Sequence, residues 1–240
     1  MIKSAIQYIV DLAKPDIQKF DGEIYSDKKL HHINPIPYAE KIEMNTLSSL
    51  VEYIKSGIDR YSGKMIIHIK SPTLVSMYSA LDDKREREHI VDVIANVPKF
   101  NFGCFDNHES FVIGIQSKFV DDINTDKSLL LKFAGTVEAG SIAEYGDDGI
   151  SQKATVKTGI ASKGDAIIPS PAKLKPFRTF VEVEQPISDF IFRMKDDRCG
   201  GVQCALFEAD GGAWKIVATD LIKVYLRREL KEYDNFIVIS

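Results

Sequence analysis

Apolar residues recur along this chain at two periods, and the change of period sets the elements it predicts. Ile2, Ala5, Ile6, Ile9, Val10 and Ala13 stand at helical spacing and predict an amphipathic helix at the N-terminus. An arm follows to residue 45, punctuated by Pro15, Pro35 and Pro37 and by a turn at Asp21-Gly22, with short extended pieces expected at Glu23–Ser26 and Leu30–Ile33. Helical spacing resumes with Leu47, Leu50, Val51, Ile54 and Ile58, opened by Asn45 or Thr46 as N-cap, with Gly57 and Gly63 bracketing the exit.

The period then falls to two. Over Lys64–Lys70, Met65, Ile67 and Ile69 alternate with Ile66, His68 and Lys70, and a second strand is expected over Thr73–Leu81. The mixed-sign run Asp82–Glu88 reads as the solvated start of a helix bearing Ile90, Val91, Ile94 and Val97 and ended by Pro98. Two more helices are expected. Asn107 caps one carrying Phe111, Val112, Ile115 and Phe119; Asp126 opens the other, carrying Leu129, Leu130, Phe133 and Val137 and reaching about Tyr145.

Beyond Gly146-Asp147-Asp148-Gly149 strand-like segments dominate: Gln152–Lys157, Phe177–Glu184, Ile187–Lys195, Val202–Glu208, Ala213–Ala218, Leu221–Leu226 and Phe236–Ile239. Gly200-Gly201 and Gly211-Gly212 read as the turns between them. Helices and strands segregated in this way predict an α+β fold, with a helix-rich first part containing a short β-meander, then a mainly antiparallel β region. The segments are an irregular arm over 1–45, a mixed region over 46–150 and an antiparallel region over 151–240. The junction at 146–151 is too short for a flexible linker, which keeps one compact domain open as the arrangement.

Composition narrows the class. With 240 residues, 44% hydrophobic and 28% charged, the chain can bury a core and is not a disordered or low-complexity protein. A net charge of −4 gives no global basic field for nucleic acid or anionic membrane. No stretch approaches the roughly 20 apolar residues of a membrane span, and the N-terminal run is too broken for a secretory leader. Three cysteines, Cys104, Cys199 and Cys204, fit a reducing compartment, so a cytoplasmic protein that does not engage a membrane is expected.

Candidate chemistry is sparse. The chain has neither a Walker-type phosphate loop nor a G-x-G-x-x-G run, and no serine-nucleophile elbow. Cys199 and Cys204 lack the second pair of a zinc site, and the adjacent His31-His32 reads as a surface pair in the arm. No metal and no cofactor is therefore expected. Glu182 and Glu184 share a strand face with Arg178, and Asp147, Asp148, Glu208 and Asp210 come from neighbouring segments, but their spacing is not that of a metal nuclease. Lys173, Lys175, Arg178 and Arg193 form the one local basic cluster, interleaved with Phe177, Phe180, Phe190 and Phe192; this could stack bases, although Glu182, Glu184 and Asp189 oppose it.

The runs Asp148-Gly149-Ile150-Ser151-Gln152, Pro169-Ser170-Pro171, Leu174-Lys175-Pro176-Phe177-Arg178-Thr179-Phe180-Val181-Glu182-Val183-Glu184-Gln185-Pro186 and Glu208-Ala209-Asp210-Gly211-Gly212-Ala213-Trp214 resemble the YfdQ-like family of phage and prophage proteins. The likeness extends upstream to His68-Ile69-Lys70-Ser71-Pro72 and Phe102–Phe111, covering most of the chain after residue 45. The family has no known function, so the resemblance implies a phage-encoded intracellular protein and hands over no catalytic residue. Two functions stay open. One is a non-enzymatic binding protein, acting in phage DNA metabolism or against a host defence. The other is a metal-dependent hydrolase of nucleic acid or nucleotides. The first takes self-association or another protein as the expected partner, with nucleic acid second. Its expected surface is the set of charges among apolar strand positions, Arg178, Glu182, Glu184, Arg193, Glu208 and Asp210, because charge so placed must be paired or covered.

Overall fold

The computed structural model describes residues 2–29, 39–61, 63–139, 141–147, 152–158, 161–162, 166–167, 170–196 and 202–240. The expected extended piece at Leu30–Ile33, His31-His32, Asp148, Cys199 and the Gly200-Gly201 turn lie outside them. The chain divides into two units, Met1–Ala39 and Glu40–Ser240.

In the first unit the expected helix is present as α1 (Ile2–Ala13), followed by the antiparallel hairpin of β1 (Ile17–Phe20) and β2 (Glu23–Ser26). Asp21 and Gly22 turn it with φ of 53° and 85°, the pair of positive values that a two-residue hairpin loop demands.

The second unit runs β3 (Ile42–Met44), α2 (Leu47–Ser56), β4 (Met65–Ser71), β5 (Leu74–Ser79), β6 (His89–Ile94), β7 (Asp106–Asn107), α3 (His108–Lys118), α4 (Lys127–Ala139), β8 (Ser141–Asp147), β9 (Gln152–Thr158), β10 (Ala161–Ser162), β11 (Ala166–Ile167), β12 (Ala172–Leu174), β13 (Ser188–Asp196), β14 (Val202–Glu208), α5 (Ala213–Glu229) and β15 (Phe236–Ile239). It is a mixed α and β structure whose sheets are mostly antiparallel. Two layered halves and a smaller β8–β11 sheet compose it.

One half is the five-stranded sheet β15-β4-β5-β6-β3. Met65, Ile67, Ile69, Val75, Met77, Val91 and Val93 point to one face, where α2 supplies Leu47, Leu50, Val51 and Ile54, and α5 supplies Ile222 and Leu226. Both helices are tied at their entry. The Thr46 side chain accepts from the Ser49 N–H, and the Asp210 carboxylate accepts from the N–H groups of Gly212 (3.0 Å) and Trp214 (3.4 Å). The other half is the sheet β12-β13-β14-β7 with α3 and α4 on it. Its core is aromatic: Phe111, Phe119, Phe133, Phe190 and Phe192 interlock, with Phe100 and Phe102 at the border. Phe100 meets Phe119 edge-on at 5.0 Å, and Phe102 stacks on Phe190 at 5.3 Å.

Four expectations fail, each for a readable reason. His89–Ile94 is a strand where a helix was expected: the β-branched run Ile90, Val91, Val93 and Ile94 pairs with β5. Asp82–Glu88 is the loop before it, closed by the Asp82 carboxylate accepting from the Lys84 and Glu86 N–H groups. The helix opened at Asp126 ends at Ala139, and β8 occupies 141–147 in place of its last turns.

Ala213–Ala218 and Leu221–Leu226 are one helix, not two strands. Ala218, Ile222 and Leu226, spaced by four, form its buried stripe, and Gly212, at φ 83°, is its N-cap instead of a hairpin residue. Phe177–Glu184 is a loop, not a strand, because the buried Gln185 side chain takes over its backbone. The Gln185 carbonyl accepts from Arg178 N (2.9 Å) and Thr179 N (3.1 Å), and its amide donates to Phe180 O (3.0 Å). The expected order, helices then an antiparallel sheet, is therefore matched only in part. The last strand also returns to the first half, β15 pairing parallel with β4.

Candidate functional site

Three of the six expected site residues converge. Arg178, 7% exposed, donates from Nη1 to Glu208 Oε1 at 2.6 Å and from Nη2 to the Ser188 hydroxyl. Ser188 in turn bonds the Asp210 carboxylate. The guanidinium plane lies 4.0 Å from the centre of the Trp214 ring and 5.5 Å from that of Phe190. Burial drags the Arg178 pKa down to about 10, against the pull of Glu208 and Asp210, so it stays a cation at neutral pH. The cluster joins β13, β14, the start of α5 and the 177–186 loop.

The other three lie apart from it, so the six share no single sheet face. Glu182 accepts from the N–H (3.0 Å) and hydroxyl (3.1 Å) of Ser48 at the start of α2, where the helix dipole favours an anion. Glu184 shares Lys175 with Asp122, each at 2.8 Å. Those two carboxylates raise the Lys175 pKa, and Lys175 in turn holds Asp122 below the usual carboxylate range. Arg193 sits on β13 opposite Ala205, half-buried. The 177–186 loop also plants Phe180, 1% exposed, in the five-stranded half, and Thr179 Oγ1 donates to Pro72 O at 2.5 Å.

A second cluster, which the sequence reading missed, lies on the opposite face of the five-stranded sheet. Strand register places Ile239, His68, Ser76, Asp92 and Glu43 in one transverse row, and Ile237, Ile66, Tyr78 and His89 in the next. At the centre Asp92, 8% exposed, accepts from Lys41 Nζ (2.7 Å), from His89 Nε2 (2.8 Å) and from the Ser76 hydroxyl. Burial pushes this carboxyl up, but the bonds from Lys41, Ser76 and His89 outweigh it and hold Asp92 well below the usual range. Serine, histidine and aspartate meet here without forming a nucleophilic triad, because Ser76 and His89 both serve Asp92 Oδ1.

Around this centre no other described helix or sheet of Glu40–Ser240 is packed on the face. Ile94, Ile237 and Ile239 are 41–45% exposed. His89 stacks on Tyr78 with ring centres 4.6 Å apart and 28° between planes, and Lys70 Nζ lies 5.2 Å from the Tyr78 ring centre. Ile66, His68, Tyr78, Arg87 and Ile239 line a cavity of about 280 Å³. His68 and Lys70 were legible from the alternation in 64–70; Asp92 and His89 were hidden by the helical reading of their segment.

The thiol of Cys204 is buried in the aromatic core and pushed up to about 12, which leaves it protonated. Among the described residues no three His, Cys, Asp or Glu side chains are grouped to hold a metal ion, and no helix is long and apolar enough to cross a membrane. No protein-family model, curated protein or solved structure matches the chain.

Proposed function

We propose that this is a phage- or prophage-encoded binding protein, working without catalysis inside the host cell in phage DNA metabolism or against a host defence system. Its recognition surface is the Asp92 face of the five-stranded sheet. The phage setting is supported by the resemblance of 147–214 to the YfdQ-like family. The observation that carries the non-catalytic reading is the state of Asp92. A carboxylate recruited for acid–base or metal chemistry needs a free lone pair or a pKa near working pH. Asp92 is poorly suited to either, since three donors occupy three of its four lone-pair sites and hold it ionised well below working pH. What faces solvent there is stacking and apolar surface, the equipment of recognition.

The test is turnover. The full chain, incubated with Mg²⁺ or Mn²⁺ and labelled single-stranded or duplex nucleic acid or nucleoside triphosphates, is expected to leave every substrate intact. Metal-dependent hydrolysis that purifies with the chain to constant specific activity would overturn the reading in favour of a hydrolase. Loss of that activity in a folded Asp92→Asn variant would place the reaction on this face.

A further inference from the structure

We infer that the Asp92 sheet face binds single-stranded nucleic acid, one base lodging in the cavity against Tyr78 while neighbouring phosphates lie on Lys70 and Arg87. The inference rests on the reading of this face as a recognition surface and names its ligand.

Charge complementarity supplies the first argument. Lys41 bridges the two carboxylates of the face, Asp92 at 2.7 Å and Glu43 at 3.3 Å, and so offsets one of their two charges. Lys70 and Arg87 are exposed, and among the described residues neither has a carboxylate partner; Arg87 donates only to the Ser79 carbonyl, at 3.1 Å. Lys41, Lys70 and Arg87 against Asp92 and Glu43 leave the face one net positive charge on a chain whose net charge is −4, and an anionic ligand complements it.

Shape supplies the second. Tyr78 is held rigid by the stacked His89, which Asp92 fixes in turn, so the aromatic surface is pre-organised and loses little entropy on binding. The cavity beside it has apolar walls from Ile66 and Ile239 and an edge of polar groups from His68 and Arg87. Its volume of about 280 Å³ lies at the lower end for small-ligand sites, suited to one flat ring. Aromatic stacking on an open sheet with cations alongside is sequence-tolerant recognition of unpaired bases. A duplex keeps its bases stacked inside and offers none to the cavity.

The experiment is fluorescence anisotropy of labelled 12-nucleotide DNA and RNA single strands, a blunt duplex of the same length and a mononucleotide competitor, titrated with the full chain at 50 and 200 mM salt. Either single strand is expected to bind, with log Kd rising against log salt at a slope of about 1.4, the value for two phosphates on a single strand. Lys70→Ala/Arg87→Ala is expected to weaken binding at least tenfold and flatten that slope. Tyr78→Leu, which keeps the bulk and removes the aromatic face, is expected to weaken it by roughly five- to hundredfold. Circular dichroism confirms that the variants fold, and Lys223→Ala, on α5, is expected to bind like the wild type.

No anisotropy change with either strand at 50 µM protein overturns the inference, as does binding that both face variants leave intact. A duplex bound as tightly as the strands also overturns it. A mononucleotide that occupies the site as tightly as the strand would reassign it to a free nucleotide. A chain that binds strands and also cleaves them upholds this inference while overturning the non-catalytic reading; a chain that does neither does the reverse.

Discussion

The Arg178 and Asp92 clusters both hold a charge among apolar neighbours, and they deal with its desolvation in opposite settings. Arg178 is enclosed. Its partners come from three elements, with Glu208 on β14, Ser188 on β13, and Asp210 and Trp214 at the start of α5, the Trp214 ring centre lying 4.0 Å from its Cζ. Asp92 sits in a sheet face open to solvent, and its cationic partner Lys41 is one-third exposed. Each pair has one buried member and one part-exposed member, Glu208 at 37% and Lys41 at 34%, so the difference lies in what surrounds the buried charge: joined elements around Arg178, a sheet face around Asp92. A charge neutralised at an open surface leaves that surface free of net attraction for cations and available to stacking and apolar contact. The same residue types therefore make a joint in one place and a floor for recognition in the other.

The largest effect that separates them is expected at Arg178. Arg178→Ala removes two hydrogen bonds made by a charged donor, to Glu208 and Ser188, and should lower unfolding free energy by roughly 3–5 kcal/mol. Arg178→Lys should recover little of it, since an ammonium cannot reproduce the fork from Nη1 to Glu208 and Nη2 to Ser188. Lys41→Ala, which leaves Asp92 its bonds from Ser76 and His89, should cost less. Urea midpoints at neutral pH give all three. Equal losses at Arg178 and Lys41 would erase the distinction between joint and floor.

A smaller effect is expected at Gln185, whose amide stands in for a strand ladder in the loop that carries Arg178. Gln185→Ala orphans the Arg178 and Thr179 N–H groups and should cost about 2–3 kcal/mol. Because the same loop seats Phe180 in the aliphatic core and caps α2 through Glu182, the loss should reach both halves together. Amide hydrogen exchange checks this: protection should fall in β4 and β5 as well as in β13. Exchange confined to 177–186 would show that the loop merely ornaments the fold.

That loop also shows where sequence pattern stops being informative. Phe177, Thr179, Val181 and Val183 alternate as a strand does, yet the period reflects two separate destinations. Phe180 goes into one core and Arg178 into a polar pocket, while Val181 stays 73% exposed. Elements whose pattern serves a neighbour in the fold were legible: α2 with its Thr46 cap, β4, β14 over the residues expected, and α3 from Asn107. The 89–94 strand was not, because four consecutive buried positions satisfy a helical period as well as a buried strand, and only the pairing partner β5 decides. That one segment concealed both Asp92 and His89, and with them the centre of the recognition face. Of the charges picked from the sequence, Arg178, Glu208 and Asp210 meet; local spacing held no record of Ser188, Gln185 or Trp214, which come together through topology.

The smallest and most specific effect is expected from acid. Asp92 titrates below its ordinary value of 3.8 in the folded chain because Lys41, Ser76 and His89 all favour its ionised form. A carboxyl lowered by folding contributes stability that is fully present above its unfolded pKa and is lost as pH falls through the folded one. Asp122 and Asp210 are lowered too, so the wild-type acid profile alone cannot isolate Asp92. The difference between wild type and Asp92→Asn can, because the other carboxyls cancel in it. That difference is expected to be about 1–3 kcal/mol at pH 7, constant down to about pH 4, and to shrink steadily below it. Urea midpoints of both proteins at pH 7, 5, 4 and 3 measure it. A gap that holds its full size at pH 3 would mean that hydrogen-bond geometry, not ionisation, secures the centre of the sheet face. The floor under Tyr78 would then owe nothing to charge.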